Sequence, residues 1–237
     1  MKYQDYKYYF FIGIGGIGMS SLAKYLNLKN KQIAGYDREK TEISKNLEKD
    51  GIDIIYNYDF DNINQNYKNC ELTLVVYTPA ISEDDIIFKF FRNSNFVIIK
   101  RSDLLASIVN DNFSIAIAGT HGKTTITAIL SHIMSYSKLN YTAFIGGVSN
   151  YNNSNLIYNG DEIFIVEADE FDKTFLKLEP NIICINNIDG DHYDIYKDYD
   201  DLKNSFEQFS KKLKNQGLLI SNDQLDFESI NYGFNPK

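Results

Sequence analysis

The chain has 237 residues, a net charge of −8, and hydrophobic and charged fractions of 43% and 24%. This length allows one large or two ordinary domains, each with its own hydrophobic core, and the composition is that of a globular protein. The acidic balance argues against a nonspecific nucleic-acid-binding protein, which needs clustered Lys and Arg to neutralise phosphates.

Neither a membrane span nor a secretory signal is indicated. The apolar run at residues 8–19 is interrupted by four glycines and is shorter than the about 20 residues that a membrane-spanning helix needs. No signal-peptide cleavage pattern follows it. Cys70 and Cys184 lie in or beside apolar stretches, which favours two reduced, packed thiols; a disulfide between them is the alternative. We therefore expect a cytoplasmic protein without membrane or nucleic-acid partners.

Short apolar runs alternate with helical patterns along the chain. In chain order, the predicted elements are strand 8–14, helix 19–28, strand 32–36, helix 42–49, strand 72–77, helix 83–91, strand 96–99, helix 102–110, strand 114–118, helix 124–135, strands 163–166 and 182–185, helix 199–214 and strand 217–220. Runs rich in Ile, Val and Phe without strict alternation are typical of strands buried on both faces. The pattern predicts an α/β fold with mainly parallel sheets, and residues 150–159 are predicted to be a flexible loop.

Two glycine-rich turns follow predicted strands, one near residue 13 and one near residue 119. A doubly wound sheet normally has one phosphate-binding first turn, so two such turns predict two domains. We place the boundary near residues 110–113, which gives a Rossmann-like domain at 1–110 and a second nucleotide-binding domain at 111–237.

The first turn contains Gly13, Gly15, Gly16 and Gly18, which satisfy the pattern G-x-G-x-x-G between a strand and a helix. Glycines let the backbone approach a diphosphate, whose charge the helix N-terminus stabilises. Asp37 ends the next strand, where a carboxylate can accept hydrogen bonds from ribose hydroxyls. Three interpretations stay open for this turn: tight packing alone, a dinucleotide such as NAD, or a UDP-sugar.

The second turn has the sequence GTHGKTT at residues 119–125. Ile117 stands where a strict Walker A motif has glycine, so the match is to the shorter pattern G-x-x-G-K-T. Backbone N–H groups can surround phosphate oxygens, Lys123 can reach the β- and γ-phosphates, and the Thr124 hydroxyl can bind Mg²⁺. Packing alone is the alternative.

Polar residues follow two further buried strands. Residues 167–170 read EADE, and residues 186–192 read NNIDGDH. Carboxylates at the C-terminal ends of parallel strands point into the ligand crevice and can hold Mg²⁺; a solvated turn is the other interpretation. His121 and His192 are favoured as ligand or substrate contacts, whereas His132 is predicted to be a packed or surface residue.

These stretches together resemble the Mur ligase family, and within it the members that join L-alanine to UDP-N-acetylmuramate. The similar segments are residues 13–20, 118–125, 145–147, 167–178 and 187–194. The resemblance implies a Rossmann-like domain for the UDP-sugar, a central P-loop ATPase domain and a C-terminal domain for the amino acid. It also implies ATP and Mg²⁺, an acyl-phosphate intermediate, and a place in peptidoglycan precursor synthesis.

The resemblance also implies roles for individual residues. The UDP-sugar would contact Gly13, Gly15, Gly16, Gly18, Asp37, Thr78 and Arg101. ATP would be bound by Gly119, Thr120, His121, Gly122, Lys123, Thr124 and Thr125. Thr124, Glu167 and His192 would hold metal, and Lys123, His121 and Asn187 would act in catalysis. Thr78 and Pro79 replace a Ser-Ser pair that is usual in the family.

Family members are about twice as long as this chain, so we expect the amino-acid-binding domain to be absent and the central domain to be incomplete. The chain would then be a fragment, one part of a split enzyme with a separately encoded C-terminal domain, or a degraded copy. Three other functions stay open: nucleotide binding without ligase activity, reattachment of recycled peptides, and an NAD-dependent dehydrogenase.

Overall fold

The computed structural model describes residues 3–58, 60–149, 153–190 and 195–234. The chain separates into two compact units, Met1–Ser107 and Ile108–Lys237. Each unit contains a largely parallel sheet with helices, which confirms the predicted α/β class.

The first unit contains five parallel strands. Its elements are β1 (Tyr8–Ile12), α1 (Ile17–Leu28), β2 (Gln32–Tyr36), α2 (Glu42–Lys49), β3 (Asp53–Ile55), β4 (Thr73–Tyr77), α3 (Ile86–Arg92), β5 (Val97–Lys100) and α4 (Arg101–Val109). The division between the two units falls within α4. The strand order β3-β2-β1-β4-β5 is that of a Rossmann-type sheet. The strand that precedes the first glycine turn is therefore central.

Burial on both faces explains why β1 is continuously apolar. Phe10, Phe11 and Ile12 are each at most 1% exposed, as expected for a central parallel strand. The ring of Phe10 packs against Phe91 with centroids 4.7 Å apart. On β2, a Cβ added to Gly35 would lie 2.7 Å from the Phe11 carbonyl oxygen. Only glycine therefore lets β2 lie this close to the end of β1.

The second unit contains a seven-stranded sheet. Its elements are β6 (Phe113–Ala118), α5 (Lys123–Met134), β7 (Tyr141–Ser149), β8 (Ser154–Tyr158), β9 (Ile163–Ala168), β10 (Ile182–Ile185), α6 (Tyr199–Ser210), β11 (Leu218–Asn222) and β12 (Ile230–Tyr232). The strand order is β12-β11-β10-β6-β9-β7-β8, and all neighbours are parallel except β7 and β8. Because β10, β6 and β9 are adjacent and parallel, their C-terminal ends meet at one edge of the sheet.

One predicted loop is wrong. Residues 154–158, which we expected to be flexible, form β8 and pair antiparallel with β7, another strand that the sequence pattern did not predict. Asn and Tyr dominate this stretch, but pairing with a buried neighbour overrides the weak local preference. Residues 150–152 lie outside the described part of the chain. The three-residue strands β3 and β12 were also not predicted.

Two further findings concern membrane association and the thiols. None of the described helices is long and apolar enough to cross a bilayer. Cys70 and Cys184 are both free thiols.

Candidate functional site

The first glycine turn is held by hydrogen bonds from its own backbone. Gly13 has a φ of +84°, which favours glycine, and its N–H donates to the Tyr36 carbonyl oxygen at 2.8 Å. The N–H of Gly16 donates to the Gly13 carbonyl oxygen at 3.2 Å. The N–H of Gly15 donates to Oδ2 of Asp37 at 2.7 Å. These N–H groups are therefore already engaged within the protein.

Asp37 differs from its prediction in one respect. We expected its carboxylate to be available for hydrogen bonds from ribose hydroxyls. Instead, Oδ2 accepts from the N–H of Gly15 and Oδ1 accepts from the N–H of Glu39 at 3.2 Å. The carboxylate thus fastens the turn to the end of β2. A role toward a ribose stays a prediction and would use the remaining lone pairs.

Side chains from two other strand ends reach the same turn. A Cβ added to Gly13 would lie 3.0 Å from Cγ2 of Thr78, and one added to Gly18 would lie 2.8 Å from Nη1 of Arg101. The seven residues predicted for the UDP-sugar therefore lie around one turn: Gly13, Gly15, Gly16, Gly18, Asp37, Thr78 and Arg101. Gly16 is the N-cap residue of α1, and no described side chain caps the helix. The uncapped first turn and the Arg101 guanidinium together can bind an anion.

The second glycine turn begins directly after β6 and depends on two glycines. Gly119 and Gly122 have φ values of +139° and +82°. A Cβ on Gly119 would lie 3.1 Å from the backbone nitrogen of Asn187, and one on Gly122 would lie 3.0 Å from Nδ2 of Asn186. Gly122 is the N-cap residue of α5, and no described side chain caps the helix. Its first turn can also bind an anion.

Two asparagines that follow β10 hold the backbone of this turn. Asn187 Oδ1 accepts from the N–H of His121 at 2.8 Å, and Asn187 Nδ2 donates to the His121 carbonyl oxygen at 3.0 Å. Asn186 Nδ2 donates to the same carbonyl oxygen at 3.1 Å. The Thr120 hydroxyl accepts from the N–H of Asp189 at 3.0 Å. The turn is therefore fixed from the neighbouring strand, and Asn187 contacts its backbone directly.

Lys123 forms an ion pair with Glu170. Its Nζ lies 2.9 and 2.7 Å from the two carboxylate oxygens, and the Lys123 and Glu170 side chains are 15% and 0% exposed. Nζ also donates to the Gly119 carbonyl oxygen at 2.7 Å and to the Thr120 carbonyl oxygen at 3.4 Å. The last distance is near the limit for a hydrogen bond. A phosphate oxygen can therefore replace the Thr120 carbonyl oxygen as an acceptor for Lys123 Nζ.

Thr124 and Glu167 bring two oxygen atoms together beside the lysine. Thr124 Oγ1 donates to Glu167 Oε2 at 3.0 Å, and the N–H of Gly146 donates to Glu167 Oε1. Burial raises the pKa of Glu167, against the lowering effect of the hydrogen bonds from Gly146 and Thr124 and of the Lys123 charge. The Glu167 carboxylate lies against Gly146, so an added Cβ would force the carboxylate to move.

This oxygen pair fits a magnesium ion. Mg²⁺ prefers oxygen ligands and usually takes one or two protein ligands together with phosphates and water. Among the described residues there is no cluster of three or more His, Cys, Asp and Glu side chains that could hold a metal. His192, the third predicted ligand, lies outside the described residues.

The other residues predicted for this site differ in whether their backbone or their side chain contributes to it. His121 contributes its backbone to the turn, and its side chain is exposed, as is that of Thr125. His132 lies on α5, seven residues after Thr125, with its ring centroid 5.2 Å from that of Tyr136, edge to face. Lys123, Thr124 and Glu167 form one compact set, and Gly119, Thr120, Gly122 and Asn187 shape the backbone beside it.

Sequence reasoning gave no individual role to three residues of this site. Glu170 belongs to the acidic segment at 167–170, but its pairing with Lys123 is not readable from spacing. Asn186 precedes the predicted Asn187, and its side chain lies close to both Gly119 and Gly122. Tyr232 Oη donates to Asn186 Oδ1 at 2.7 Å from a strand that was not predicted. No local signal in the sequence marks this tyrosine.

Two protein-family models together match almost the whole chain. Residues 8–113 match the family described as "Mur ligase family, catalytic domain", and residues 117–233 match "Mur ligase middle domain". Two curated relatives are named UDP-N-acetylmuramate–L-alanine ligase. The relative from Christiangramia forsetii is 44% identical over 97% of this chain and 51% of its own length. The relative from Flavobacterium johnsoniae is 42% identical over 95% of this chain and 50% of its own length.

Two solved structures show the same fold. A UDP-N-acetylmuramate:L-alanyl-gamma-D-glutamyl-meso-diaminopimelate ligase from Neisseria meningitides has a TM-score of 0.81 at 25% identity, covering 93% of this chain and 72% of that one. UDP-N-acetylmuramate-alanine ligase MurC from Thermotoga maritima has a TM-score of 0.77 at 29% identity, covering 90% of this chain and 48% of that one. The chain spans about half the length of the curated relatives that it matches. From both its sequence and its fold, this chain belongs to the Mur ligase family.

Proposed function

We propose that this chain forms the UDP-sugar-binding and ATP-binding part of a ligase that joins L-alanine to UDP-N-acetylmuramate in the synthesis of peptidoglycan precursors, in the cytoplasm. The observation that carries the proposal is the arrangement at the second glycine turn, where Lys123 and Thr124 lie beside the carboxylates of Glu170 and Glu167. The 44% identity to a relative named as the L-alanine ligase supports the choice of substrate.

The proposed reaction activates a carboxylate before an amide bond is made, because a free carboxylate is a poor electrophile. A carboxylate oxygen of the lactyl group attacks the γ-phosphorus of ATP, the bond to the bridging oxygen breaks, and ADP leaves. The amine of L-alanine then attacks the acyl carbon, phosphate leaves with the bonding electrons, and the nitrogen loses a proton. Positioning and charge stabilisation supply most of the acceleration in such transfers.

In the second unit, we assign phosphate binding to the first turn of α5 and to Lys123, which stabilises negative charge on the transferring group. Thr124 Oγ1 and Glu167 Oε2 would hold Mg²⁺, which when bound neutralises charge on the phosphates. His192 remains a proposed metal ligand. His121 and Asn187 were predicted to be catalytic; we now propose that they act through the backbone of the turn, since their hydrogen bonds shape it.

In the first unit, we assign the UDP diphosphate to the first turn of α1 and to Arg101. The N–H groups of Gly13, Gly15 and Gly16 already have acceptors within the protein. A helix N-terminus and a guanidinium both bind phosphate oxygens well, which supports this assignment. A UDP-sugar is favoured over NAD because the second unit carries a phosphate loop with a lysine, which a dehydrogenase does not need.

A second candidate is a chain that binds nucleotides but cannot make the amide bond alone. The observation that favours it is that the chain spans about half the length of its curated relatives. In that case a separately encoded C-terminal domain would complete the enzyme. A third candidate is a ligase that attaches the peptide L-alanyl-gamma-D-glutamyl-meso-diaminopimelate, favoured by the TM-score of 0.81 to a structure with that name.

One experiment separates these candidates. ADP release is measured with MgATP, UDP-N-acetylmuramate and either L-alanine or the peptide, first with this chain alone and then with a polypeptide equivalent to the remaining half of its relatives. Release that requires L-alanine supports the proposal, and release only after complementation supports the second candidate. Release that requires the peptide supports the third. If the chain binds neither MgATP nor UDP-N-acetylmuramate, the proposed function is wrong.

A further inference from the structure

Tyr232 lies at the C-terminal end of β12, the outermost strand of the second sheet. Its backbone is paired with Asn222 of β11, and its carbonyl oxygen accepts from the N–H of Asp223 at 2.8 Å. The side chain extends past β11, since Oη donates to Asn186 Oδ1 at 2.7 Å and Asn186 follows β10. This contact joins residues 46 positions apart in the sequence.

Asn186 transmits the contact to the phosphate-binding turn. While its Oδ1 accepts from Tyr232, its Nδ2 donates to the His121 carbonyl oxygen at 3.1 Å. The same amide group lies against Gly122, the N-cap residue of α5. With Oδ1 of Asn186 toward the tyrosine hydroxyl, Nδ2 faces the turn, so the hydrogen bond from Tyr232 favours the orientation in which Asn186 donates to His121.

Burial raises the pKa of Tyr232 to about 12, and the neighbouring Cys184 side chain adds to this increase. At neutral pH the phenol therefore keeps its proton and can donate it to Asn186.

We propose that Tyr232 is a positioning residue for the nucleotide site: through Asn186 it fixes the His121–Gly122 backbone in the shape that presents the first turn of α5 to phosphate. The inference rests on the proposed binding of ATP at this turn, and it adds a residue from the far edge of the sheet. Tyr232 does not contact the phosphate, and its effect depends on Asn186.

Replacing tyrosine by phenylalanine tests this with little change in packing. Tyr232→Phe is compared with Tyr141→Phe, which also removes a hydroxyl that donates within the second unit, to the Ser131 carbonyl oxygen at 2.7 Å. MgADP affinity is measured by calorimetry, and unfolding is followed in parallel. We expect Tyr232→Phe to weaken MgADP binding about fivefold, the effect of one hydrogen bond, and Tyr141→Phe to weaken it less than about twofold.

A double-mutant cycle separates positioning from general destabilisation. If the tyrosine acts through Asn186, adding Tyr232→Phe to Asn186→Ala changes MgADP affinity by less than about twofold. An equal loss in both backgrounds would overturn the inference, as would unchanged affinity in Tyr232→Phe.

Hydrogen exchange of the amides at residues 119–122 provides a measurement that does not need the Asn186 variant. We expect faster exchange in Tyr232→Phe but not in Tyr141→Phe, and equal exchange would contradict the inference. If the unchanged chain does not bind MgADP, the proposed function fails; if it binds and Tyr232→Phe binds equally well, only the role of Tyr232 fails.

Discussion

The two glycine turns share one backbone design. Each follows a central parallel strand, and each leads into a helix whose N-cap residue is a glycine, Gly16 or Gly122, without a capping side chain among the described residues. Both turns can therefore bind an anion through the first N–H groups of a helix. The backbone alone does not distinguish them.

The side chains that neighbouring strands bring to each turn are different. The first turn receives Arg101, and its one carboxylate, Asp37, is engaged by the turn itself. The second turn carries its own cation, Lys123, and receives the carboxylates of Glu167 and Glu170 from β9 and the residues that follow it. A glycine turn can bind an anion through its backbone, whereas the adjacent strand ends decide which charged and metal-binding side chains lie beside it.

The largest effect is expected from Lys123→Ala, which removes the feature that most separates the two turns. Glu170 is left buried without its cation, so we expect the free energy of unfolding to fall by about 3–5 kcal/mol. MgATP affinity should fall about a hundredfold with the loss of a charged donor. Chemical denaturation and calorimetry measure the two effects.

Lys173→Ala is the matched control for that variant. Lys173 forms an ion pair with Asp201 at 3.2 Å in the same unit, but both side chains are partly exposed, at 38% and 31%. We expect this control to lose less than about 1 kcal/mol. Full MgATP affinity in Lys123→Ala would contradict the proposed role of the lysine.

Arg101→Met tests the corresponding cation of the first turn. We expect UDP affinity to fall about thirtyfold, whereas uridine affinity should change less than about twofold, because the guanidinium would contact only the diphosphate. Arg92→Met removes an exposed arginine of the same unit and should leave both affinities unchanged. Equal losses for UDP and uridine would show that Arg101 does not face the diphosphate.

Gly146→Ala tests the oxygen pair of Thr124 and Glu167. The added methyl group would displace the Glu167 carboxylate. We therefore expect the Mg²⁺ concentration needed for ATP binding to rise about tenfold, which is typical when a residue that orients a metal ligand is changed. In Gly147→Ala the new Cβ would lie 3.2 Å from the Thr124 methyl carbon, and we expect a smaller rise. A Mg²⁺ titration that Gly146→Ala leaves unchanged would remove Glu167 from the metal site.

The smallest effect is expected from the threonines that support each turn. Thr120 bonds through its hydroxyl to the backbone of Asp189, whereas Thr78 contacts Gly13 through its methyl group. Thr120→Val should therefore cost about 1 kcal/mol in unfolding free energy, and Thr78→Val, which keeps the methyl, should cost less. Thermal unfolding of both variants checks the order, and the reverse order would contradict it.

Much of the fold and part of the site were predictable from sequence, because their signals are local. The alternation of apolar runs and helical patterns predicted fourteen strands and helices, and the structure contains each of them with ends within four residues of the predicted ones, among them β1, α1, β6 and α5. The pattern G-x-x-G-K-T placed Lys123 and Thr124 at the start of a helix after a buried strand. The predicted roles of individual residues remain to be tested by the experiments above.

By itself, the sequence determined the α/β class, the two glycine turns and the carboxylates at the end of β9, since these follow from short periodic patterns and from contiguous residues. Only the tertiary structure decided that Lys123 pairs with Glu170, that Asp37 bonds to Gly15, and that Tyr232 reaches Asn186. These contacts join residues between 22 and 47 positions apart. Which polar groups meet across such separations depends on strand order and register, and a buried polar group takes the partner that this packing brings within hydrogen-bonding distance.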